Sequence, residues 1–499
     1  MDILQNLQLG FETALLANNL FYCFLGVLLG TLIGVLPGLG PLATISMLLP
    51  ITFGLPPTTS LIMLAGIFYG AQYGGSTTAI LLNLPGEASS VVTAIDGHQM
   101  ALQGRAGPAL ATAALGSFFA GTVATVLIAV LSPPLAAIAI KFGPAEYFSL
   151  MLFGLVISVL LASGSVLKAL AMVVLGILLG LAGQDINTGT FRFTFGIPAL
   201  STGFDFLALS MGIFGLGEII KNLEGDAPRT LTSKTVGRLM LTREDWKRMV
   251  GPVLRGTGIG SVLGILPGGG AVLGSFVSYT MEKRISKTPD QFGKGAIEGV
   301  AGPESANNAG AQTSFIPMLT LGIPSNPVMA LMIAALILQG IQPGPNVMTA
   351  RPELFWGIIA SMWIGNLMLV VLNLPLVGIW VRILTIPYRY IAPAIGIFCC
   401  IGVFSVENNS VDVLMMAVFG LFGYVLMKLD CEPAPLLLGF IIGPLIEENL
   451  RRAMLISRGS WTTFIERPIS LGLLIVAALA LLAVVSPALR KKREVAFQE

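Results

Sequence analysis

Two proline-glycine interruptions, Pro37-Gly38-Leu39-Gly40 and Pro267-Gly268-Gly269-Gly270, stand inside long apolar stretches of this sequence. Each is followed by a polar cluster. After the first come Ser76, Thr77, Thr78 and Asn83; after the second comes ESANNAGAQTS, Glu304 to Ser314. A helix broken inside a membrane leaves unpaired N–H groups at one half-helix end and unpaired carbonyls at the other. Glycines at the break expose those N–H groups, and the N-terminal end carries positive partial charge, so the chemistry on offer is capture of an anion such as a carboxylate. The opposing carbonyls suit Na⁺. Ser, Thr, Asn and Gln add hydrogen bonds without the desolvation cost of a fixed charge. The expected substrate contacts are therefore Gly38, Gly40, Ser76, Thr77, Thr78, Asn83, Gly268, Gly269, Gly270, Asn307, Asn308, Gln312 and Ser314. Taken singly, each break also reads as a structural kink, and the second cluster as an exit loop at the membrane surface. Recurrence of the pair favours the functional reading. Arg255 is either a counter-charge for substrate or, five residues into its apolar block, a side chain snorkelling to the interface, which is the preferred reading.

The elements that position these residues follow from composition. The chain is 55% hydrophobic and only 11% charged, against about 25% charge in soluble domains. Ala106 to Ile140 contains no Asp, Glu, Lys or Arg, which is more than the roughly 20 residues one bilayer crossing needs. The expectation is an all-α polytopic membrane protein with about 11 to 12 transmembrane helices plus re-entrant, Pro/Gly-broken helices in two related halves. The start, MDILQNLQLG, has no basic residue before the apolar run, so no cleaved signal segment is expected.

Lys221 to Arg248 holds eleven charged side chains, seven of them basic, and divides the chain. Its Lys/Arg excess places it in the cytoplasm. The organisation expected is a membrane half over 1–220, a basic cytoplasmic loop over 221–250 and a second membrane half over 251–499. The block 251–281 is flanked by basic residues on both sides, so it reads as a hairpin that enters, turns at PGGG and returns. The segment 434–447 and the basic RRAMLISR after it leave the side of 451–467 open. The halves share a pattern: at a constant offset of 230, seven of fifteen residues between Gly26–Gly40 and Gly256–Gly270 are identical, including Gly26/Gly256, Gly30/Gly260 and Gly34/Gly264. Glycines four apart share one helix face and let a neighbouring backbone come close. The stretch 74–89 resembles 311–326 more loosely, through Pro85 and Pro324. Interrupted segments in matching positions of two halves point to a secondary transporter's binding site.

Other chemistries lack their residues. There is no GxxxxGK[ST] phosphate loop and no HExxH motif. One histidine, His98, and four cysteines without ligand spacing (Cys23, Cys399, Cys400, Cys431) name no metal site. No ATPase, nucleic-acid partner or cofactor is expected, and any transport must be driven by an ion gradient. The alternatives from other classes are an intramembrane enzyme, for which no catalytic pair has recognisable spacing, and an uncoupled channel or scaffold.

The stretches GVLLGTLIGVLPGLGPLATISMLLP (26–50), YGAQYGGSTTAILLNLPGEASS (69–90), GIGSVLGILPGGGA (258–271), GPESANNA (302–309) and IPMLTLGIPSNPVMALMIAAL (316–336) resemble the TctA family, the large membrane subunit of the tripartite tricarboxylate transporter system. The resemblance covers almost the whole chain. It implies a multi-pass protein of the bacterial inner membrane, uptake coupled to Na⁺ or H⁺, and carboxylate substrates such as citrate. It also implies two partners: a small membrane subunit (TctB-like) and a periplasmic solute-binding protein (TctC-like). Pro37-Gly38-Leu39-Gly40 and Pro267-Gly268-Gly269-Gly270 match the family's two signature breaks, and Asn307 and Asn308 its polar signature.

Overall fold

Helices form almost everything in the computed structural model, because a backbone among apolar side chains can satisfy its N–H and C=O groups only within itself. The structure describes residues 3–36, 39–84, 86–161, 165–185, 188–224, 237–266, 270–384 and 388–485. A short antiparallel pair, Gly183–Gln184 with Phe191–Arg192, accompanies the helices. Five described helices are long and apolar enough to cross a membrane: Ala17–Gly34, Ala106–Ala139, Phe206–Glu224, Pro352–Asn373 and Ser410–Lys428. Six shorter apolar helices of 10–17 residues accompany them. Large apolar side chains such as Leu167, Phe398, Leu421 and Leu482 are exposed, while Gly, Ser and Thr line many buried faces. That inversion of the soluble pattern is what lipid as solvent demands.

Nine helices build the interior: α1 (Ala17–Gly34), α2 (Pro41–Leu48), α3 (Pro57–Leu82), α4 (Val91–Leu102), α5 (Ala106–Ala139), α6 (Arg243–Ile265), α7 (Gly270–Ile285), α8 (Glu298–Thr313) and α9 (Pro352–Asn373). The glycine stripes explain the two most extensive helix–helix contacts. A Cβ at Gly26, Gly30 or Gly34 of α1 would overlap the carbonyls of Met63, Ile67 and Ala71 on α3. A Cβ at Gly256, Gly260 or Gly264 of α6 would overlap the carbonyls of Gly302, Ala306 and Gly310 on α8. Side-chain-free faces let the two backbones touch, which is the membrane solution to helix packing.

The interruptions fall where the sequence places them. α1 ends at Gly34 and α2 starts at Pro41; α6 ends at Ile265 and α7 starts at Gly270. Gly38, Gly268 and Gly269 lie outside the described residues. α7 doubles back along α6: a Cβ at Gly274 would stand 3.4 Å from Gly260 Cα, and Arg255 pairs with Glu282 at 2.7 Å. Arg255 is therefore held by a buried carboxylate of the same hairpin, not spent on snorkelling alone.

Other expectations change. The polar stretch after Pro85 contains α4, a largely buried helix. The N-terminal Ile3–Ala14 is helical and packs against α9, with Gly10 against the Trp356 carbonyl. The Ala434–Ile456 helix runs on through RRAMLI, because Glu447 pairs with Arg451 at 2.6 Å along its face and Arg192 also reaches Glu447 at 3.0 Å. The polar cluster 304–314 is no exit loop. It is one continuous helix, α8, and Gly299 to Thr313 are all buried.

Candidate functional site

α8 is a polar helix in an apolar interior, and each of its polar groups needs a partner. Its sequence allows the burial: Gly302, Ala306 and Gly310 on one face take the glycine stripe of α6, leaving Glu304, Asn307, Asn308 and Gln312 for the other neighbours. Glu304 is 1% exposed. It accepts from Ser76 Oγ of α3 at 2.7 Å, Thr93 Oγ1 of α4 at 2.5 Å and Ser117 Oγ of α5 at 3.4 Å. Asn308 Nδ2 donates to Ser117 Oγ at 2.6 Å and to the Glu304 carbonyl at 3.1 Å. One carboxylate of α8 thus gathers α3, α4 and α5 around it.

One turn along, Asn307 Nδ2 donates to Glu87 Oε1 at 2.9 Å. Gln72, one turn before Ser76 on α3, presents its amide to both Glu87 oxygens. Glu87 is partly buried and begins the turn that enters α4, where its own N–H meets Ser90 Oγ at 3.4 Å. The first interruption reaches this place through Gly40: a Cβ there would stand 3.2 Å from the Gly86 carbonyl and 3.7 Å from Glu87 Cβ. Among the described residues, no Lys or Arg forms an ion pair with Glu87 or Glu304.

The far end of α8 has the opposite character. Gln312 Oε1 accepts from Thr125 Oγ1 of α5 at 2.6 Å, but Gln312 Nε2 has no hydrogen-bond partner among the described residues. Nor have Nδ2 and Oδ1 of Asn366 on α9. Gly121 brings the two amides together: a Cβ at that position would meet Gln312 Nε2 at 2.6 Å and Asn366 Nδ2 at 2.8 Å. Two buried amide donors stand here beside an equally unfilled acceptor, Asn366 Oδ1, 2.9 Å from the same point; a carboxylate reaching the donors would gain two hydrogen bonds. A narrow cavity lined by Tyr73, Ser76, Thr77, Ser117, Glu304 and Asn373 lies along the same faces of α3, α5, α8 and α9.

Of the residues expected from sequence, Ser76, Asn307, Asn308 and Gln312 meet in this seam, and Thr77 lines the cavity. Thr78 Oγ1 is bonded to the Gly75 carbonyl at 2.8 Å. Ser314 Oγ is bonded to the Ala311 carbonyl at 2.5 Å. Asn83 is exposed and ends α3 in the left-handed region (φ 54). Gly270 packs on the Leu263 carbonyl and Gly264, beside Gly310 rather than in the seam. Sequence reading omitted Gln72, Tyr73, Glu87, Thr93, Ser117, Thr125, Asn366 and Asn373. A polar residue inside an otherwise apolar helix was the signal available for most of them.

A clamp fixes α8 in place. Asp96 of α4 is fully buried, and its Oδ1 accepts from the N–H groups of Gly293, Gly295 and Ala296 at 2.9, 2.8 and 2.8 Å. Tyr279 Oη donates to Asp96 Oδ2 at 3.0 Å. These bonds tie the loop that leads into α8 to the helix that carries Thr93. Arg248 grips Glu298 at the first turn of α8 through two bonds, at 2.8 and 2.7 Å.

Comparison with known proteins fits this architecture. Residues 20–438 match the model of the tripartite tricarboxylate transporter TctA family. Two relatives come from Agrobacterium vitis. One, described as an uncharacterized 52.8 kDa protein in the TAR-I ttuC' 3'region, is 62% identical over 499 residues, which is 100% of this chain and 99% of the relative. The other, described as an uncharacterized protein in the TAR-II ttuC' 3'region, is 63% identical over 240 residues, 48% of this chain and 99% of that relative. No solved structure matches the chain. Its family is one of transporter subunits, not enzymes, and among the described residues no cluster of His, Cys, Asp and Glu could hold a catalytic metal. This chain, a polytopic inner-membrane helix assembly matched over residues 20–438, belongs to the tripartite tricarboxylate transporter TctA family.

Proposed function

We propose that this chain is the large permease subunit of a tripartite, ion-gradient-driven secondary transporter that takes up tricarboxylates such as citrate or related carboxylates. It works with a small membrane subunit (TctB-like) and a periplasmic solute-binding protein (TctC-like), and Na⁺ or H⁺ drives uptake. One observation carries the reading: the neighbouring amides of Gln312 and Asn366, buried and with both NH₂ groups unpaired, beside a polar helix joined to the other half. Leaving such donors unpaired costs each about 1–3 kcal/mol, an expense a carboxylate would reverse.

Alternating access needs two related parts that move about a shared site. Several features support a repeat at an offset of 239 in the elements after the breaks. The carbonyls that receive the glycine stripes are Met63, Ile67 and Ala71 in one half and Gly302, Ala306 and Gly310 in the other. The left-handed caps are Asn83 (φ 54) and Gly322 (φ 70). The next helical segments are entered from Glu87 and Asn326. The halves 1–220 and 251–499, joined by the basic loop 221–250, are then the moving parts. The polar seam is their common site, crossed by 11 to 12 spans in all, with the α6–α7 hairpin re-entrant. Uptake of radiolabelled citrate by proteoliposomes holding both membrane subunits, with binding protein and an imposed Na⁺ or H⁺ gradient, tests the reading. Accumulation that requires the gradient supports it; uptake that only equilibrates makes the protein an uncoupled channel.

A further inference from the structure

We propose that Glu304 and Glu87, with Asn307 Oδ1 and Tyr73 Oη, form the binding site for the coupling cation, and that this cation is Na⁺. The inference rests on the transport reading for its purpose, but its evidence is separate. Two carboxylates meet α8 within one turn of each other, Glu304 on the helix itself and Glu87 through Asn307, one fully and one partly buried, and no Lys or Arg pairs with either among the described residues. The hydroxyls of Ser76, Thr93 and Ser117 fill lone pairs of Glu304 but supply no positive charge. An uncompensated carboxylate in low dielectric is expensive, so a site of this kind is completed by a cation.

Two further atoms point to a bound ion. Asn307 Oδ1 belongs to a side chain that is 0% exposed and has no donor among the described residues, although its Nδ2 is spent on Glu87. Tyr73 Oη, on a side chain 4% exposed, is likewise without a partner and lines the same narrow cavity as Glu304, Ser76 and Ser117. Both oxygens have lone pairs that no neighbouring donor fills. A proton on Glu87 would fill the Asn307 oxygen in a cyclic acid–amide pair, but it would leave Glu304 uncompensated and the Tyr73 oxygen unfilled, whereas a bare cation meets both. The other titratable groups of α4 are engaged elsewhere: Asp96 is held by the N–H groups of Gly293, Gly295 and Ala296 and by Tyr279 Oη, and His98 turns its Nδ1 to the Ile80 carbonyl at 3.1 Å.

The ligand class follows from the atoms. Carboxylate, amide and phenol oxygens are hard ligands that suit a hard cation rather than a thiophilic or imidazole-seeking one. Ca²⁺ takes six to eight oxygens and Mg²⁺ keeps several waters; a narrow cavity provides for neither. Na⁺ then bridges α3 and the Glu87 turn of the first half to α8 of the second, next to the donors proposed for substrate. Its arrival draws the two halves onto the site, which is the coupling a symporter needs.

The test uses the purified full-length chain in detergent, without substrate or partner subunits, in divalent-free buffer. Binding of ²²Na⁺ is measured by scintillation proximity, and thermal unfolding is compared in NaCl, KCl and choline chloride. Wild type is expected to bind Na⁺ saturably and to melt higher in NaCl than in the other two salts. Glu304→Gln, which keeps the shape and, with its amide oxygen in the place of Oε2, still accepts from Ser76 and Ser117 while its Nε2 donates to Thr93 Oγ1, should abolish both effects. Glu87→Gln should weaken Na⁺ binding by roughly tenfold or more. If Glu304→Gln does not yield a monodisperse protein, Glu87→Gln and Tyr73→Phe carry the test. Wild-type affinity in both Glu87→Gln and Tyr73→Phe, or in Glu304→Gln, overturns the proposal. So does a wild type that takes up no Na⁺ but binds protons or only divalent ions. Na⁺ binding lost in the variants while gradient-driven uptake fails in wild type would sink the transport reading and leave the site standing. Uptake without any Na⁺ binding would do the reverse.

Discussion

Replacing Asn366 by Leu separates a binding role from a structural one by the sign of its effects. Asn366 is fully buried, and neither Nδ2 nor Oδ1 has a partner among the described residues. Leu has the same number of side-chain heavy atoms and the same branching at Cγ, so the packing against Gly121 and Gln312 is kept. Removing unpaired buried polar groups relieves a desolvation cost of about 1–3 kcal/mol, so the variant should melt higher than wild type. Uptake should suffer. A hydrogen bond from an amide to a charged carboxylate is worth about 1.5–3 kcal/mol, or roughly 10- to 150-fold in affinity. The assay is the apparent affinity for citrate in proteoliposomes at matched protein levels with saturating binding protein, alongside thermal unfolding in detergent. A less stable Asn366→Leu protein with unchanged affinity would refute the reasoning and return Asn366 to a structural role.

Asn308→Ala should behave in the opposite way: its amide is already spent on Ser117 and the Glu304 carbonyl, so stability falls by about 1–3 kcal/mol while the affinity of the remaining folded protein holds; a large affinity loss without destabilisation would contradict this. Gly260→Val, which drives a side chain into the Ala306 carbonyl, should abolish uptake and lower the yield of folded protein, whereas Gly258→Val, with open space around it, should be tolerated; similar yields from the two would contradict the close-approach argument. Asp96→Asn removes the charge that gathers three N–H groups and should raise hydrogen exchange in 289–297 as well as lower the melting temperature; unchanged exchange would show that the clamp is unimportant. Single cysteines at Lys247 and Thr288 should be labelled from the same, cytoplasmic face, because Arg255 and Glu282 pair across the hairpin at 2.7 Å; labelling from opposite faces would make 251–281 a true crossing.

The sequence displayed what depends on local composition. Both interruptions were legible because proline and repeated glycine have few other uses inside an apolar run, and the stripes at 26, 30, 34 and 256, 260, 264 foretold backbone contact because only glycine permits it. The polar run of α8 was visible too, but its burial was not: ESANNAGAQTS looks the same in a loop and in a core, and the fate of that helix is decided by facing residues as distant as Ser76 and Thr125. Glu87, Thr93, Ser117 and Asn366 escaped for the same reason. Each is given meaning only by contacts with distant segments, such as that between Thr93 and Glu304, 211 positions apart.

Gradient-driven citrate accumulation in proteoliposomes, compared between wild type and Gln312→Ala, tests the central claim most directly. Gln312 carries the other unpaired amide donor of the seam. Wild type should concentrate citrate above its external level only while an inward cation gradient is held. Gln312→Ala should require roughly 10- to 150-fold more citrate for half-maximal uptake. Accumulation by wild type without any gradient, or an unchanged half-maximal concentration in Gln312→Ala, would contradict the account.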